Sequence, residues 1–212
     1  MFEIAATIII IVLALGMLTM LLARRLLRGR TRLDRPPQRI NKPVQTSAPP
    51  DLSYGGIAVP GSAVAGGLDA IRAADKHFDV RHFITGAKAA YETVVTAYAD
   101  GDRRTLTNLL APDVYEGFEA VIRERKDRGE TAATRFLSID ATHITAAELR
   151  GETAYITLRF VSQLVSATRD RDGKVIEGDA VNVTNVSDVW IFARNVRSRD
   201  LNWKIVATEV SG

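Results

Sequence analysis

A run of twenty residues without a charge, Ile4 to Ala23, constrains this 212-residue chain more than any other feature. As a helix that rises about 1.5 Å per residue, the run reaches roughly 30 Å, the thickness of the hydrocarbon core of a bilayer. A buried helix in a water-soluble core is the weaker alternative, because no charge interrupts any face of the helix. We predict a membrane-spanning helix over residues 4–23, preceded by a short N-terminus of residues 1–3.

The charges that flank this run favour an uncleaved anchor. A cleaved secretory signal carries its positive charge before the apolar stretch, whereas here only Glu3 and the first methionine precede it. A basic cluster follows instead: Arg24, Arg25, Arg28, Arg30 and Arg32. Because Lys and Arg favour the cytoplasmic side, we expect a single pass with the C-terminal part in the cytoplasm. The cluster either contacts lipid headgroups or serves only as a topology signal.

Residues 24–67 have the composition of a tether. Six of the seven prolines fall here, together with two Gly-Gly pairs, Gly55-Gly56 and Gly66-Gly67. Pro-rich and Gly-rich segments do not build a packed core, so we predict a basic and then Pro/Gly-rich linker. It leaves residues 68–212 as one folded domain.

Charge and cysteine content exclude several classes of function. The first fifty residues hold eight basic and two acidic residues, whereas the remainder holds twenty basic and twenty-three acidic ones. The folded part therefore lacks the cationic excess of a nucleic-acid-binding protein, and we predict no nucleic-acid partner. The absence of cysteine excludes disulfides, thiolate metal sites and cysteine nucleophiles.

The sequence of this domain predicts helices followed by strands. A short helix is predicted over Leu68 to Phe78, a longer one from the cap at Asp79 to Gly101, and another from Pro112 to Gly129. After the last helix the period of the apolar residues changes from about 3.6 to 2. This alternation predicts strands over residues 135–148, 153–167, 186–194 and 202–208. This order indicates an α+β domain with helices on one face of a curved antiparallel sheet.

Four segments carry a resemblance to a known family: FITGAKAAYETVVTAYADGD (83–102), LTNLL (106–110), VSDVWIFARN (186–195) and NWKIVAT (202–208). Their order resembles the C-terminal domain of the motor-anchoring subunit of the mitochondrial import translocase, the Tim-forty-four-like (Tim44-like) domain. The sequence also resembles the bacterial membrane-anchored relatives of that domain. The resemblance spans Phe78 to Glu209 and implies a cone of helices on a curved sheet, like the NTF-two and cystatin folds, with an apolar pocket.

In that family the domain binds membranes and protein partners during protein translocation or membrane-protein biogenesis. The resemblance therefore implies a non-catalytic adaptor at a bacterial inner membrane, with a protein partner and a possible lipid ligand. A division or other envelope machinery is an alternative setting. The Pro-rich tether replaces the charged helical region through which the mitochondrial subunit engages its chaperone motor, so the resemblance does not extend to an Hsp70-type partner.

The aromatic residues on regular helix and strand positions are the candidates for lining the pocket, although aromatic residues at such spacing more often pack in the core. They are Phe83, Tyr91, Tyr98, Phe118, Trp190, Phe192 and Trp203. The three histidines lack metal-ligand spacing, and no glycine-rich phosphate loop is present, so we predict neither a metal nor a cofactor. A cone-fold enzyme is the alternative function, in which Asp140 pairs with Tyr91 or Tyr98 to stabilise an enolate.

Overall fold

The computed structural model describes residues 57–210. The predicted membrane span (4–23), the basic cluster from Arg24 to Arg32 and the tether up to residue 56 lie outside the described residues. Within residues 57–210, no helix combines the length and the apolar composition needed to cross a membrane.

The helices of the described part precede its sheet in the chain. They are α1 (Ala63–Ala74), α2 (Val80–Asp100), α3 (Arg103–Leu109) and α4 (Pro112–Arg128). Helix α1 begins before the predicted start at Leu68, so residues 63–67, assigned to the tether from their composition, are helical.

The early start of α1 has two local causes. The side chain of Ser62 caps the helix by accepting a hydrogen bond from the N–H of Ala65 at 3.2 Å. Gly67 lets the helix approach β1, because a Cβ atom at this position would lie 1.9 Å from the carbonyl oxygen of Ala147. One glycine of a pair that predicts a flexible linker thus lies at a packing contact between α1 and β1.

The predicted ends of α2 and α4 are confirmed. Asp79 caps α2 by accepting from the N–H of His82 at 2.7 Å, and Gly101 ends the helix with a φ of 70°. Pro112 is the first residue of α4, and Gly129 ends that helix with a φ of 71°. Glycine adopts these left-handed conformations without the steric cost that other residues pay.

The sheet has the antiparallel order β1-β2-β3-β4. Its strands are β1 (Thr131–Arg150), β2 (Thr153–Arg169), β3 (Val175–Asn195) and β4 (Lys204–Val210). Three register shifts interrupt the β1–β2 ladder, and bulges of this kind bend a sheet. The predicted strand over residues 186–194 is the second half of the much longer β3.

The helices and one face of the sheet enclose the hydrophobic core. Alternate residues of β2 are fully buried, as the period-2 pattern predicted: Ala154, Ile156, Leu158 and Phe160. Leu68 and Ile71 of α1 and Leu106 of α3 are also fully buried. The α+β prediction with helices packed on an antiparallel sheet is therefore confirmed.

Candidate functional site

A pocket of about 430 Å³ opens between the first half of α2, the α1–α2 connection, the end of β3 and the β3–β4 connection. A volume of this size falls in the usual range for small-molecule sites. Its lining combines aromatic, aliphatic and charged side chains, which include Phe78, Phe83, Leu109, Phe192, Leu201, Trp203, Asp75, Asp79, His77, His82 and Arg194.

Four aromatic rings form the apolar wall of the pocket. Phe83 is at its centre, with its ring centroid 4.7 Å from Trp203, 5.6 Å from Phe192 and 6.2 Å from Phe78. Tilted and edge-on contacts at these distances are the favoured arrangements of aromatic pairs. Because Phe83 and Phe192 belong to the core and Trp203 is only half-buried, the wall joins the core to the surface.

The charged part of the wall is a buried ion pair between Arg194 of β3 and Asp75 at the end of α1. The side chains are only 7% and 10% exposed. Burial raises the pKa of Asp75, but the N–H of His77 and the Arg194 guanidinium outweigh that effect and hold the pKa below its usual value. The pair joins the α1–α2 connection to the sheet.

The guanidinium of Arg194 is incompletely satisfied. It lies 5.3 Å from the centroid of the Trp203 ring, in a cation–π arrangement. Its Nε atom is buried and has no hydrogen-bond partner among the described residues. An unpaired buried donor costs about 1–3 kcal/mol.

A second polar cluster lies deeper in the core. The Tyr91 hydroxyl donates to Oδ2 of Asp188 at 2.5 Å and lies 2.9 Å from Oγ of Ser162. Since a phenol has one proton, the Ser162 hydroxyl donates to Tyr91. Tyr91 and Ser162 are fully buried, and Asp188 is 8% exposed.

Burial controls the protonation of this cluster. It raises the pKa of Asp188 to about 6, although the hydrogen bond from Tyr91 acts in the opposite direction. Burial and the neighbouring Asp188 carboxylate raise the pKa of Tyr91. None of the three residues is among those that line the pocket, so the acid and the phenol are not presented to a ligand bound there.

The structure divides the seven predicted aromatic candidates among three places. Phe83, Phe192 and Trp203 line the pocket. Tyr91 and Trp190 pack against Phe160 in the core, with centroid distances of 4.4 Å and 6.0 Å. The remaining two candidates, Tyr98 and Phe118, form an edge-on pair at 5.1 Å, apart from the other rings.

The predicted pairing of Asp140 with Tyr91 or Tyr98 is wrong. Asp140 is exposed and accepts hydrogen bonds from Ser138 and Gln163, both at 2.7 Å. The carboxyl group that meets Tyr91 is that of Asp188 in β3.

Sequence reasoning missed two parts of the pocket, Phe78 and the Asp75–Arg194 pair. The signal for Arg194 was available, since it shares the inward face of β3 with Asp188, Trp190 and Phe192. A charged residue that faces the core needs a partner of opposite charge. The sequence did not indicate which acidic residue is the partner of Arg194.

The described residues contain no group of three or more His, Asp or Glu side chains arranged to hold a metal ion. His77, His82 and His143 are all exposed, on different elements.

Comparison with known proteins assigns the family. The model of the Tim44-like domain matches residues 64–210, which is more than half of the chain. The chain belongs to the Tim44-like domain family. The predicted resemblance is therefore confirmed at the level of the domain.

Two curated relatives of this Tim44-like chain are mitochondrial. A probable mitochondrial import inner membrane translocase subunit, tin-44 of Caenorhabditis elegans, is 22% identical over 143 residues, which are 66% of this chain and 34% of that protein. The subunit TIM44-1 of Arabidopsis thaliana is 24% identical over 120 residues, 57% of this chain and 25% of its own length. The chain thus matches between a quarter and about a third of these relatives.

Among solved structures, the intermembrane space region of the chloroplast protein ARC6 is similar at 14% identity. The match covers 63% of this chain and 97% of that chain, with a TM-score of 0.44.

Proposed function

We propose that this chain is a membrane-anchored, non-catalytic adaptor whose Tim44-like domain binds a protein partner in protein translocation or membrane-protein biogenesis. The aromatic pocket carries the proposal, because there the hydrophobic core of the described domain reaches the surface through Phe83 and Trp203. Pockets that are mainly apolar with a few fixed polar groups are the usual form of a binding site. The mitochondrial relatives are translocase subunits by name, which supports a partner at a membrane.

The anchor and the topology are the parts of the proposal that depend on sequence. The uncharged run 4–23 serves as the span, and the arginines behind it keep the domain in the cytoplasm at a bacterial inner membrane. The same arginines give the protein a means of attracting anionic headgroups, at about 1 kcal/mol per residue near the surface.

An adaptor accounts for the polar groups better than the enzyme alternative does. Acid–base catalysis needs ionisable groups that face the substrate. The buried pair of raised pKa, Tyr91 and Asp188, is not part of the pocket lining, and the pocket carries an Arg–Asp pair already engaged with itself. The pocket geometry thus supports capture of a ligand rather than its conversion.

Photo-crosslinking in living cells tests the adaptor function. A photoreactive amino acid replaces Leu201, which lines the pocket and is 67% exposed, in the full-length protein. The matched control carries the photoreactive amino acid at Val181, which is 78% exposed, lies in the first half of β3 and does not line the pocket. We expect Leu201 to capture a partner that mass spectrometry identifies as a translocation or membrane-insertion component.

The proposal fails if Leu201 captures no such component, or if Val181 captures the same proteins with equal yield. The second result would place the docking surface elsewhere on the domain.

A further inference from the structure

We propose that the outer face of the sheet binds a second copy of this chain, with a two-fold axis that runs parallel to β3. The outer face is the side turned away from the helices, and its centre is formed by Thr157, Arg159, Val189, Ile191, Ala207 and Glu209. None of these six residues lines the pocket. The proposal therefore does not depend on the proposed function, and either can fail without the other.

The outer face presents apolar side chains that stay partly exposed. Leu158 and Phe160 of β2 pack in the core under the helices and are fully buried. Successive residues of a strand point to opposite faces, so the alternate set forms the outer face. There, Thr157, Ile191 and Ala207 lie side by side on β2, β3 and β4, and all three are half-buried. This uncharged row, with its longest side chain on β3, is suited to pack against a second sheet at the usual spacing of about 10 Å.

The next row of the outer face carries one charge of each sign. Arg159 of β2, Val189 of β3 and Glu209 of β4 lie side by side, and both charged residues are exposed. Neither forms an ion pair with another residue of the described part. Since neighbouring strands are about 4.8 Å apart, the backbones at Arg159 and Glu209 are separated by about 10 Å, with Val189 between them. Each charge is therefore available to a group outside the domain.

This arrangement of charges is complementary to itself. When two copies face each other across a two-fold axis along β3, strand β2 of each copy lies opposite β4 of the other. Arg159 of each copy then meets Glu209 of the other, and Ile191 meets Ile191. A two-fold axis across the strands would instead bring Arg159 against Arg159, and like charges in contact disfavour a complex. The charges therefore select one orientation of a symmetric pair, which identifies a second copy as the occupant of the face.

The first test places a single cysteine on the axis. The chain contains no cysteine, so Val189→Cys gives the full-length protein one thiol, which faces its own counterpart in the second copy. In membranes of cells that produce this variant, we expect a short bismaleimide to join two copies into a covalent dimer. Asp172→Cys, in the exposed turn between β2 and β3, is the matched control and gives only the background of chance encounters. Equal dimer yields at the two positions, or an adduct with a different protein in place of the dimer at Val189, overturn the proposal.

Two charge reversals test the pairing of Arg159 with Glu209. In Arg159→Glu or Glu209→Arg alone, two ion pairs become two repulsions, so we expect the dimer yield at Val189→Cys to fall at least about fivefold. Lys174→Glu, an equal change of charge in the exposed turn before β3, leaves the yield unchanged.

Co-expression of the two reversed proteins, each with its own tag, separates lost pairing from lost folding. Every Glu of one protein then meets an Arg of the other, so we expect mixed dimers at the yield found before the reversals. Their recovery also shows that both variants fold. Absence of mixed dimers, or single reversals that leave the yield unchanged, overturns the proposed orientation. If a reversed protein is not produced, the comparison of Val189→Cys with Asp172→Cys decides the question.

Discussion

The buried carboxyl group of Asp188 lowers the free energy of unfolding of the domain at neutral pH. The group has a pKa of about 6, above the ordinary value of 3.8. Below about pH 4 the Asp188 carboxyl group is protonated in both the folded and the unfolded protein, so it does not lower the free energy of unfolding. Between about pH 4 and 6 the unfolded chain ionises first, so the free energy of unfolding falls, and above pH 6 the loss is complete at about 3 kcal/mol.

Substitution of Asp188 therefore changes the pH dependence of stability. We expect the free energy of unfolding of Asp188→Asn, measured relative to the unmodified protein, to rise by about 2–3 kcal/mol between pH 4 and 7. Urea denaturation at several pH values measures the difference. Tyr91→Phe provides the opposite control, because it removes the hydrogen bond that favours the charged carboxylate and so makes the decline with pH steeper. Parallel pH profiles for Asp188→Asn and the unmodified protein would contradict the assignment.

Two adjacent glycines in α1 have opposite predicted responses to alanine. A Cβ at Gly67 meets the backbone of Ala147 at 1.9 Å, whereas a Cβ at Gly66 has no atom within 4 Å. We expect Gly67→Ala to cost at least about 1–3 kcal/mol, the usual cost of overpacking. Gly66→Ala gains up to about 1 kcal/mol from helix propensity. Thermal melting of the two variants gives the comparison, and a shift in the same direction for both would show that α1 does not pack on β1 in this way.

At the level of elements, cationic side chains that are distant in the sequence donate hydrogen bonds to carbonyl oxygens at the C-terminal ends of three helices. Arg125 of α4 donates to the carbonyl oxygen of Tyr98 at the end of α2, at 2.6 Å. Lys204 of β4 donates to Asn108 O in α3 at 2.6 Å, and Arg171 donates to the last carbonyls of α4, Arg128 O at 2.8 Å and Asp127 O at 3.0 Å. Helix C-termini present unpaired carbonyls and partial negative charge, so these contacts fix how the helices meet each other and the sheet.

Two variants in α4 separate the stabilisation that comes from capping α2 from the stabilisation that comes from the dipole of α4. Arg125 and Lys126 both lie in the last turn of α4, where each interacts with the dipole of that helix. Only Arg125 also binds the end of α2 and lies over the Tyr98 ring, at 4.8 Å. We expect Arg125→Met to lower the free energy of unfolding by about 1–2 kcal/mol and Lys126→Met by less than about 0.5 kcal/mol. Equal losses in urea denaturation would assign the effect to the dipole alone.

The elements that the sequence predicts well are those with local signals. Asp79, Gly101, Pro112 and Gly129 mark helix ends through their own hydrogen bonds and dihedral angles, and the alternation along β2 reports its buried face. The partners of Asp75 and Asp188 are not local, because Arg194 and Tyr91 lie 119 and 97 residues away in the chain. Periodicity identifies an inward-facing residue but does not identify the residue it meets, which is why Asp140 was paired wrongly.

At the scale of the whole molecule, we expect α1 to be an integral part of the folded domain. Leu68 and Ile71 are fully buried, and full burial of such side chains contributes about 1.5–3 kcal/mol each. The end of α1 also supplies Asp75, and removal of one partner of a buried ion pair costs about 3–5 kcal/mol. Together these losses approach the whole stability of a typical domain, about 5–15 kcal/mol.

Fragments that differ only in α1 test this boundary. We expect residues 57–212 to unfold in one cooperative thermal transition, because the fragment retains the core and the ion pair. Residues 76–212 lack α1 and Asp75, so they leave the β1 face exposed and Arg194 buried without its partner, and we expect no cooperative transition. Circular dichroism melting, with nitrogen–proton NMR spectra as a check on packing, measures both fragments. A transition for residues 76–212 within a few degrees of the longer fragment would mean that the domain folds without α1 and without the Asp75–Arg194 pair.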